Sequence, residues 1–185
     1  MKEFIKMIKR IFYLAGFMAS GKSTIGPILA NTIGWDFYDL DKEVEKKEGE
    51  KIVRIFENEG EKYFRRIEAE ILRDLSIKKN LIIALGGGTL INLKNRRVIN
   101  RTGKLIFLKS SPDVLYKRLI HKRDRPVLSP VIDAEDTEGL LLQRIEQLMN
   151  ERIKYYEQAD YIFDTDKDSV GVIVDRIAKI IKRSI

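Results

Sequence analysis

Four short runs along the chain are almost wholly apolar and rich in β-branched or aromatic residues: IFYLAG (11–16), LIIALG (81–86), KLIFLK (104–109) and YIFDT (161–165). A weaker fifth run, WDFYDL, spans 35–40. Apolar runs without polar alternation predict strands buried on both faces. The stretches between them carry helical periodicity. Strands alternating with helices predict an α/β fold, a parallel sheet with helices on both sides. Right-handed crossovers then set the C-terminal ends of the strands along one edge, where open sheets of this kind bind ligands.

The glycine-rich and polar segments fall at that edge. GFMASGKST follows the first strand, DLD the second and GGGT the third. No internal repeat, low-complexity tract or linker interrupts the pattern, so one domain over 1–185 is expected.

Composition removes several classes of function. With 185 residues, 44% hydrophobic and 34% charged, the chain is long enough to bury roughly 70% of its unfolded surface. No apolar run approaches the roughly 20 residues that cross a bilayer, so no membrane partner is expected. The start, MKEFIKMIKRIFYLAGF, scatters Lys and Arg and has no small-residue cleavage site, unlike a secretory leader. There is no cysteine, which removes disulfides and thiolate metal sites and fits a cytoplasmic location. The single histidine, His121, sits beside Lys122 and Arg123 and reads as a surface residue, so Ser–His and zinc chemistry have little to work with. The net charge of +7 is interleaved with Glu, as in DKEVEKKEGEK and ERIKYYEQAD, with no block of five like charges. Nucleic acid is therefore not an expected partner; a small anionic substrate accounts for the surplus equally well.

Gly16-x-x-x-x-Gly21-Lys22-Ser23 has the spacing of a phosphate cradle, in the context that spacing requires, a strand before it and a helix after. Glycines let successive backbone N–H groups face phosphate oxygens, and the helix adds its positive end. Residues 16–24, including Ala19, Ser20 and Thr24, would wrap the phosphates. Lys22 would reach the β- and γ-phosphates and the Ser23 hydroxyl would meet Mg²⁺. The motif points to a nucleoside triphosphate and leaves open what is done with it.

Other residues narrow the choice. Asp39 and Asp41 stand two apart at the end of the second strand; one can face Mg²⁺ and the other a second ligand, or Asp41 can cap the helix that follows. In the helical stretch from about 136 to 157, Leu141, Ile145, Leu148 and Tyr156 form one apolar stripe with Arg152 in its middle. A guanidinium there must snorkel to water or meet an anion. The stripe Gly60, Tyr63, Phe64, Ile67 and Ile71 leaves Arg65 and Arg66 off the apolar face, where Glu61 and Glu68 can pair with Arg65 in solvent. GGGT after a buried strand means a tight turn or close backbone approach to something. HKRDRPVLSP sets Arg125 in a charged, proline-containing loop, either a lid that presents an arginine to phosphate or an ordinary surface loop.

Taken in order, GFMASGKSTIG, DLDKEVEKKEG, IFENEGEKYFRRIEAEIL, ALGGGT, RDRPVL and ERIKYYEQAD closely resemble the shikimate kinases over nearly the whole chain. The resemblance implies a P-loop three-layer αβα fold with a five-stranded parallel sheet in the order 2-3-1-4-5. It implies ATP-dependent phosphorylation of the shikimate 3-hydroxyl, in the biosynthesis of aromatic amino acids, by a cytoplasmic monomer. Carried over residue by residue, Lys22 and Ser23 serve the phosphates and Mg²⁺, and Asp39 holds the metal through water. Asp41 bonds the substrate hydroxyls, and Arg65 and Arg152 clamp the carboxylate. The backbone of Gly86, Gly87 and Gly88 meets the ring hydroxyls. Arg125 closes from a lid over about 120–135, Arg118 lies against adenine, and 41–75 forms the shikimate-binding region. Ala19 departs from the family's usual glycine, RPVL from RPLL, and DTDKDSV lacks the Arg or Pro often found near adenine. The third strand runs into Gly86 rather than an acidic residue, unlike motor and switch ATPases. The rivals are another small-metabolite kinase such as a gluconate kinase, a nucleoside monophosphate kinase, and a non-catalytic nucleotide switch.

Overall fold

In a computed structural model, which describes residues 10–120 and 137–184, five strands form one parallel sheet: β1 (Ile11–Ala15), β2 (Asp36–Asp39), β3 (Leu81–Ala84), β4 (Lys104–Lys109) and β5 (Tyr161–Asp164). Their order is β2-β3-β1-β4-β5 and every neighbouring pair is parallel, as expected. The helices of the described residues are α1 (Lys22–Ile33), α2 (Leu40–Glu48), α3 (Ile52–Asn58), α4 (Gly60–Ser76), α5 (Leu93–Thr102), α6 (Pro112–Leu119), α7 (Thr137–Tyr156) and α8 (Val170–Ser184). A single 3₁₀ turn, Thr89–Ile91, precedes α5.

The continuous apolar runs divide by parity once folded, because successive strand side chains point to opposite faces. Phe12, Leu14, Ile82, Ile106 and Leu108 pack against Ile25 and Leu29 of α1 and Ile173, Ile177 and Ile181 of α8. Ile11, Tyr13, Leu81, Ile83, Leu105 and Phe107 face the other way, against α2, α4 and α5. Both sheet faces are thus covered, and each fully buried Leu or Ile contributes about 2 kcal/mol. A third cluster joins Phe17 to Leu115 and Leu119 of α6 and Leu141, Ile145 and Leu148 of α7.

Register brings the functional segments level. Leu14 lies opposite Ala84 and Ile106, and Asp39 lies opposite Ala84, so the chain leaves β1, β2 and β3 at one height. Each of these strands stops a residue or two before its apolar run ends. After β1 the chain turns at Gly16, where φ is 149° and a Cβ would sit 2.5 Å from Ser20 Oγ and 2.6 Å from the Leu108 carbonyl. Only glycine lets the cradle lie that close to β4.

Candidate active site

The cradle is held by its own backbone. Ser20 N donates to the Phe17 carbonyl at 3.1 Å and Ile25 N to the Gly21 carbonyl at 2.8 Å. Gly21 caps α1 in the left-handed region, at φ 101°. Ala19 also has a positive φ, 61°, a conformation costly to a residue with a Cβ. Lys22 Nζ donates to the carbonyls of Gly16 (2.8 Å) and Phe17 (2.9 Å), which keeps the ammonium over the loop.

Ser23 Oγ donates to Asp39 Oδ2 at 2.9 Å, so the cradle and the end of β2 meet through two hard oxygen groups. Asp39 also caps α2: its other oxygen accepts from Asp41 N at 3.1 Å. The cap is therefore Asp39 and not Asp41. Asp39 is the last extended residue (φ −100°, ψ 116°), so its side chain can turn back to the second helical amide; Asp41 already lies within the first turn of α2. The first turn leaves the Asp41 carboxylate pointing at the glycines after β3.

Those three glycines back onto three different groups. A Cβ on Gly86 would lie 2.6 Å from Asp41 Oδ1 and 2.8 Å from Glu68 Oε1. On Gly87 it would lie 3.1 Å from Arg152 Nη1, and on Gly88 it would overlap the Arg65 guanidinium. Close backbone approach, rather than a tight turn alone, is what GGG provides. The Asp41 carboxylate and two guanidiniums, from α2, α4 and α7, converge on three residues of backbone.

Arg152 is buried and Arg65 half-buried. Arg152 is 6% exposed and does not snorkel. Its Cζ lies 5.7 Å from the Phe17 ring centroid, and its Nε has no hydrogen-bond partner among the described residues. Arg65 Nη1 donates to both oxygens of Glu68 at 3.1 Å, and its Nε and Nη2 donate to Glu61 at 3.2 and 3.1 Å. The solvated-pair reading holds for Glu61 alone; Glu68 is fully buried and also accepts from Thr89 Oγ1 at 2.6 Å. Burial works against the charge on Arg65, but Glu68 and then Glu61 more than restore it, holding its pKa above the ordinary arginine value.

Beside the cradle, Arg118 donates to the carbonyls of Ala19 and Thr165, both at 3.2 Å, and so bridges the cradle and the loop after β5. Asp166 fixes that loop by accepting from Ser110 Oγ and from Ser111 N at 2.7 Å. Burial would push the Asp166 carboxyl up, but these bonds bring it below the usual range. A cavity of about 990 Å³ runs from Lys22 and Ser23 past Asp41 to Arg65 and Arg152, with Arg118 and Thr165 at its other end. Gly16 and Gly86 stand behind its wall. Among the described residues no group of three or more His, Cys, Asp or Glu forms a metal cage. Ser23 and Asp39 are the donor set that fits Mg²⁺, which takes few protein ligands and completes its shell with phosphate oxygens and water.

The family model for shikimate kinase matches residues 18–182. A curated shikimate kinase from Chlorobaculum parvum is 41% identical over 175 residues, 95% of this chain and 94% of that protein. The chain belongs to the shikimate kinase family. Two solved structures agree: a shikimate kinase from Acinetobacter baumannii in complex with shikimate (TM-score 0.84, 31% identity, 94% of this chain and 93% of that one) and one from Bacteroides thetaiotaomicron (TM-score 0.83, 34% identity, 93% and 98%).

Arg125, His121 and the expected lid beyond Ile120 lie outside the described residues. Two residues that meet Gly86 and Gly87 are not marked by any sequence motif. Glu68 falls between Phe64 and Leu72 on the apolar face of α4, the same signal that exposed Arg152, but it was assigned to solvent as a partner of Arg65. Tyr156 read as the end of an apolar stripe, yet its hydroxyl donates to the Gly87 carbonyl at 2.6 Å.

Proposed function

We propose that this chain transfers the γ-phosphoryl group of ATP to the 3-hydroxyl of shikimate, releasing ADP and shikimate 3-phosphate, and so serves the biosynthesis of aromatic amino acids. The observation that carries the reading is the convergence of Asp41, Arg65 and Arg152 on Gly86–Gly88, within one cavity that also holds Lys22 and Ser23. A cyclic polyol with one carboxylate needs that set: a pair of guanidiniums for the carboxylate, a carboxylate for the hydroxyls, and backbone close enough to touch the ring.

Gly16, Ala19, Ser20, Gly21 and Thr24 wrap the phosphates with backbone donors, while Lys22 neutralises charge on the β- and γ-phosphates. Ser23 and Asp39 hold Mg²⁺, Asp39 through water; the ion, when bound, screens charge on the phosphate oxygens. Arg118 lies along the adenine, and Arg125 closes onto the phosphates from a lid over 120–135. Arg65 and Arg152 orient the acceptor by its carboxylate, and the backbone of Gly86–Gly88 meets the ring hydroxyls. Asp41 accepts the hydrogen bond of the reacting hydroxyl, whose proton leaves along that bond as its oxygen attacks. A bond forms between that oxygen and the γ-phosphorus, the bond to the β,γ-bridging oxygen breaks, and ADP departs. Holding the partners in line and neutralising the developing charge together supply the acceleration.

The chain acts as one domain and a monomer in the cytoplasm, where ATP is available, with helices about 41–75 binding the acceptor and no nucleic-acid or membrane partner. Among the described residues no helix is long and apolar enough to cross a membrane. An acceptor panel tests the reading. ADP release from MgATP should depend on shikimate and not on gluconate or nucleoside monophosphates. Folded, nucleotide-binding protein that releases no ADP in response to shikimate would sink it.

A further inference from the structure

Tyr156 closes α7 four residues after Arg152, one helical turn on and on the same face. Its ring is buried, stacked on Phe107 of β4 with centroids 5.1 Å apart and planes 24° from parallel. Ring packing alone would be satisfied by phenylalanine. The hydroxyl does something further: it donates to the Gly87 carbonyl at 2.6 Å. Gly87 is the glycine whose Cβ would lie 3.1 Å from Arg152 Nη1 and 4.0 Å from this same hydroxyl.

A tyrosine hydroxyl has one hydrogen to give and lone pairs to receive. With the hydrogen committed to Gly87, the lone pairs remain in the field of the Arg152 guanidinium, which acts to lower the pKa of this hydroxyl. Burial pushes the Tyr156 hydroxyl up to about 12, against the pull of Arg152 and Arg65, so the group stays a donor throughout the neutral range. One oxygen atom thus holds the carbonyl of Gly87, and the Arg152 cation lies against that same glycine. Arg152 needs such a hold. Its Nε has no hydrogen-bond partner among the described residues, and a free arginine side chain carries about 2 kcal/mol of rotamer entropy.

The other end of the same turn is anchored separately. Asn95 Nδ2 donates to the Thr89 carbonyl at 3.2 Å, and Arg96 Nη1 donates to those of Leu90 (2.6 Å) and Ile91 (2.9 Å). Thr89 in turn bonds Glu68, the partner of Arg65. Loss of the Tyr156 hydroxyl would therefore loosen the Gly87–Arg152 end and leave the Arg65 end in place.

We propose that Tyr156 is a positioning residue for the acceptor's carboxylate: its hydroxyl locks Gly87 and the Arg152 guanidinium into one geometry. The inference rests on the reading of Arg152 as a carboxylate anchor. Tyr156→Phe keeps the ring on Phe107 and removes only the bridging oxygen. The Kd and KM for shikimate should rise up to about tenfold, the loss of one buried hydrogen bond. The KM for ATP should stay within about twofold, since no part of the cradle is touched. In an Arg152→Lys background the same change should cost less than about twofold, because its target is already gone. An unchanged KM for shikimate, an equal rise for ATP, or an undiminished effect beside Arg152→Lys would overturn the inference. Tyr156→Phe protein that does not fold would do so too, for the hydroxyl would then support the fold rather than the clamp. Wild-type protein without shikimate-dependent ADP release would overturn the functional reading beneath it, an outcome distinct from any failure of the variant.

Discussion

Arg152 and Ala19 are each out of place by the rules of their own surroundings, one chemically and one conformationally. A guanidinium 6% exposed between Leu148 and Tyr156 is costly in free protein, because burial penalises a charge that no carboxylate of the described residues neutralises as an ion pair. Arg152→Leu should therefore leave thermal stability unchanged or raise it, by up to about 2 kcal/mol, while shikimate binding weakens at least a hundredfold. Calorimetric unfolding and a shikimate titration on the same sample check both halves; an unfolded variant that spares activity in its folded remainder would remove the clamp. Ala19 sits at φ 61°, where left-handed backbone costs an L-residue about 1–2 kcal/mol. Ala19→Gly removes that strain but frees the unfolded chain by about 0.4–1 kcal/mol. The net expectation is a gain of about 0.5–1 kcal/mol, a rise of a few degrees in Tm, with KM for ATP unchanged. A fall in Tm would mean that the Ala19 methyl, which packs against the cluster around Phe17 and Leu119, outweighs the strain.

At the scale of elements, the sheet was legible because its physics is local. A run such as LIIALG has no polar face to offer water, so it lies between two helical layers whatever its neighbours are. Strand ends were less legible: β1 stops at Ala15 because Gly16 must turn beneath Leu108, a residue more than ninety positions away. The alternative of Asp41 as the helix cap failed for a related reason. Either residue could cap a helix, and only the end of β2, set by pairing with β3 up to Ala84, decides which is still extended. The site shows the same division. The cradle and Arg152 could be read from spacing and a broken stripe, both properties of one segment. Glu68 and Tyr156 take their roles from Thr89 and Gly87, residues 21 and 69 positions distant, which no helical pattern reports. Charge on an apolar helix face, noticed at Arg152 and passed over at Glu68, was the usable signal in both.

For the whole molecule, the ionisable groups with perturbed pKa values predict a stability plateau with a steep alkaline edge. Tyr13 and Tyr156 are both raised, Tyr13 by burial against the pull of its 2.7 Å contact with Thr102, and Tyr156 by burial to about 12. Lys104 is raised as well, by its hydrogen bond to Asp160. The sign is common to all three: a folded pKa above the unfolded value means that the native state holds its proton more tightly. Their stabilisation is complete below about pH 10 and is lost as pH rises through the folded values. On the acid side Asp166 is lowered, so its contribution is present above about pH 4 and disappears as pH falls through its folded value. Urea midpoints should be flat across neutral pH and fall sharply above pH 10. Tyr156 supplies on the order of 3 kcal/mol of that fall, because a phenol that titrates at about 12 rather than at its ordinary value of 10 holds its proton by about that much. Phenylalanine has no proton to lose, so Tyr156→Phe should flatten the alkaline edge by the same amount while leaving the acid edge where it was. An alkaline edge identical in the two proteins would mean that Tyr156 ionises as freely folded as unfolded, and that burial does not hold the proton on its hydroxyl.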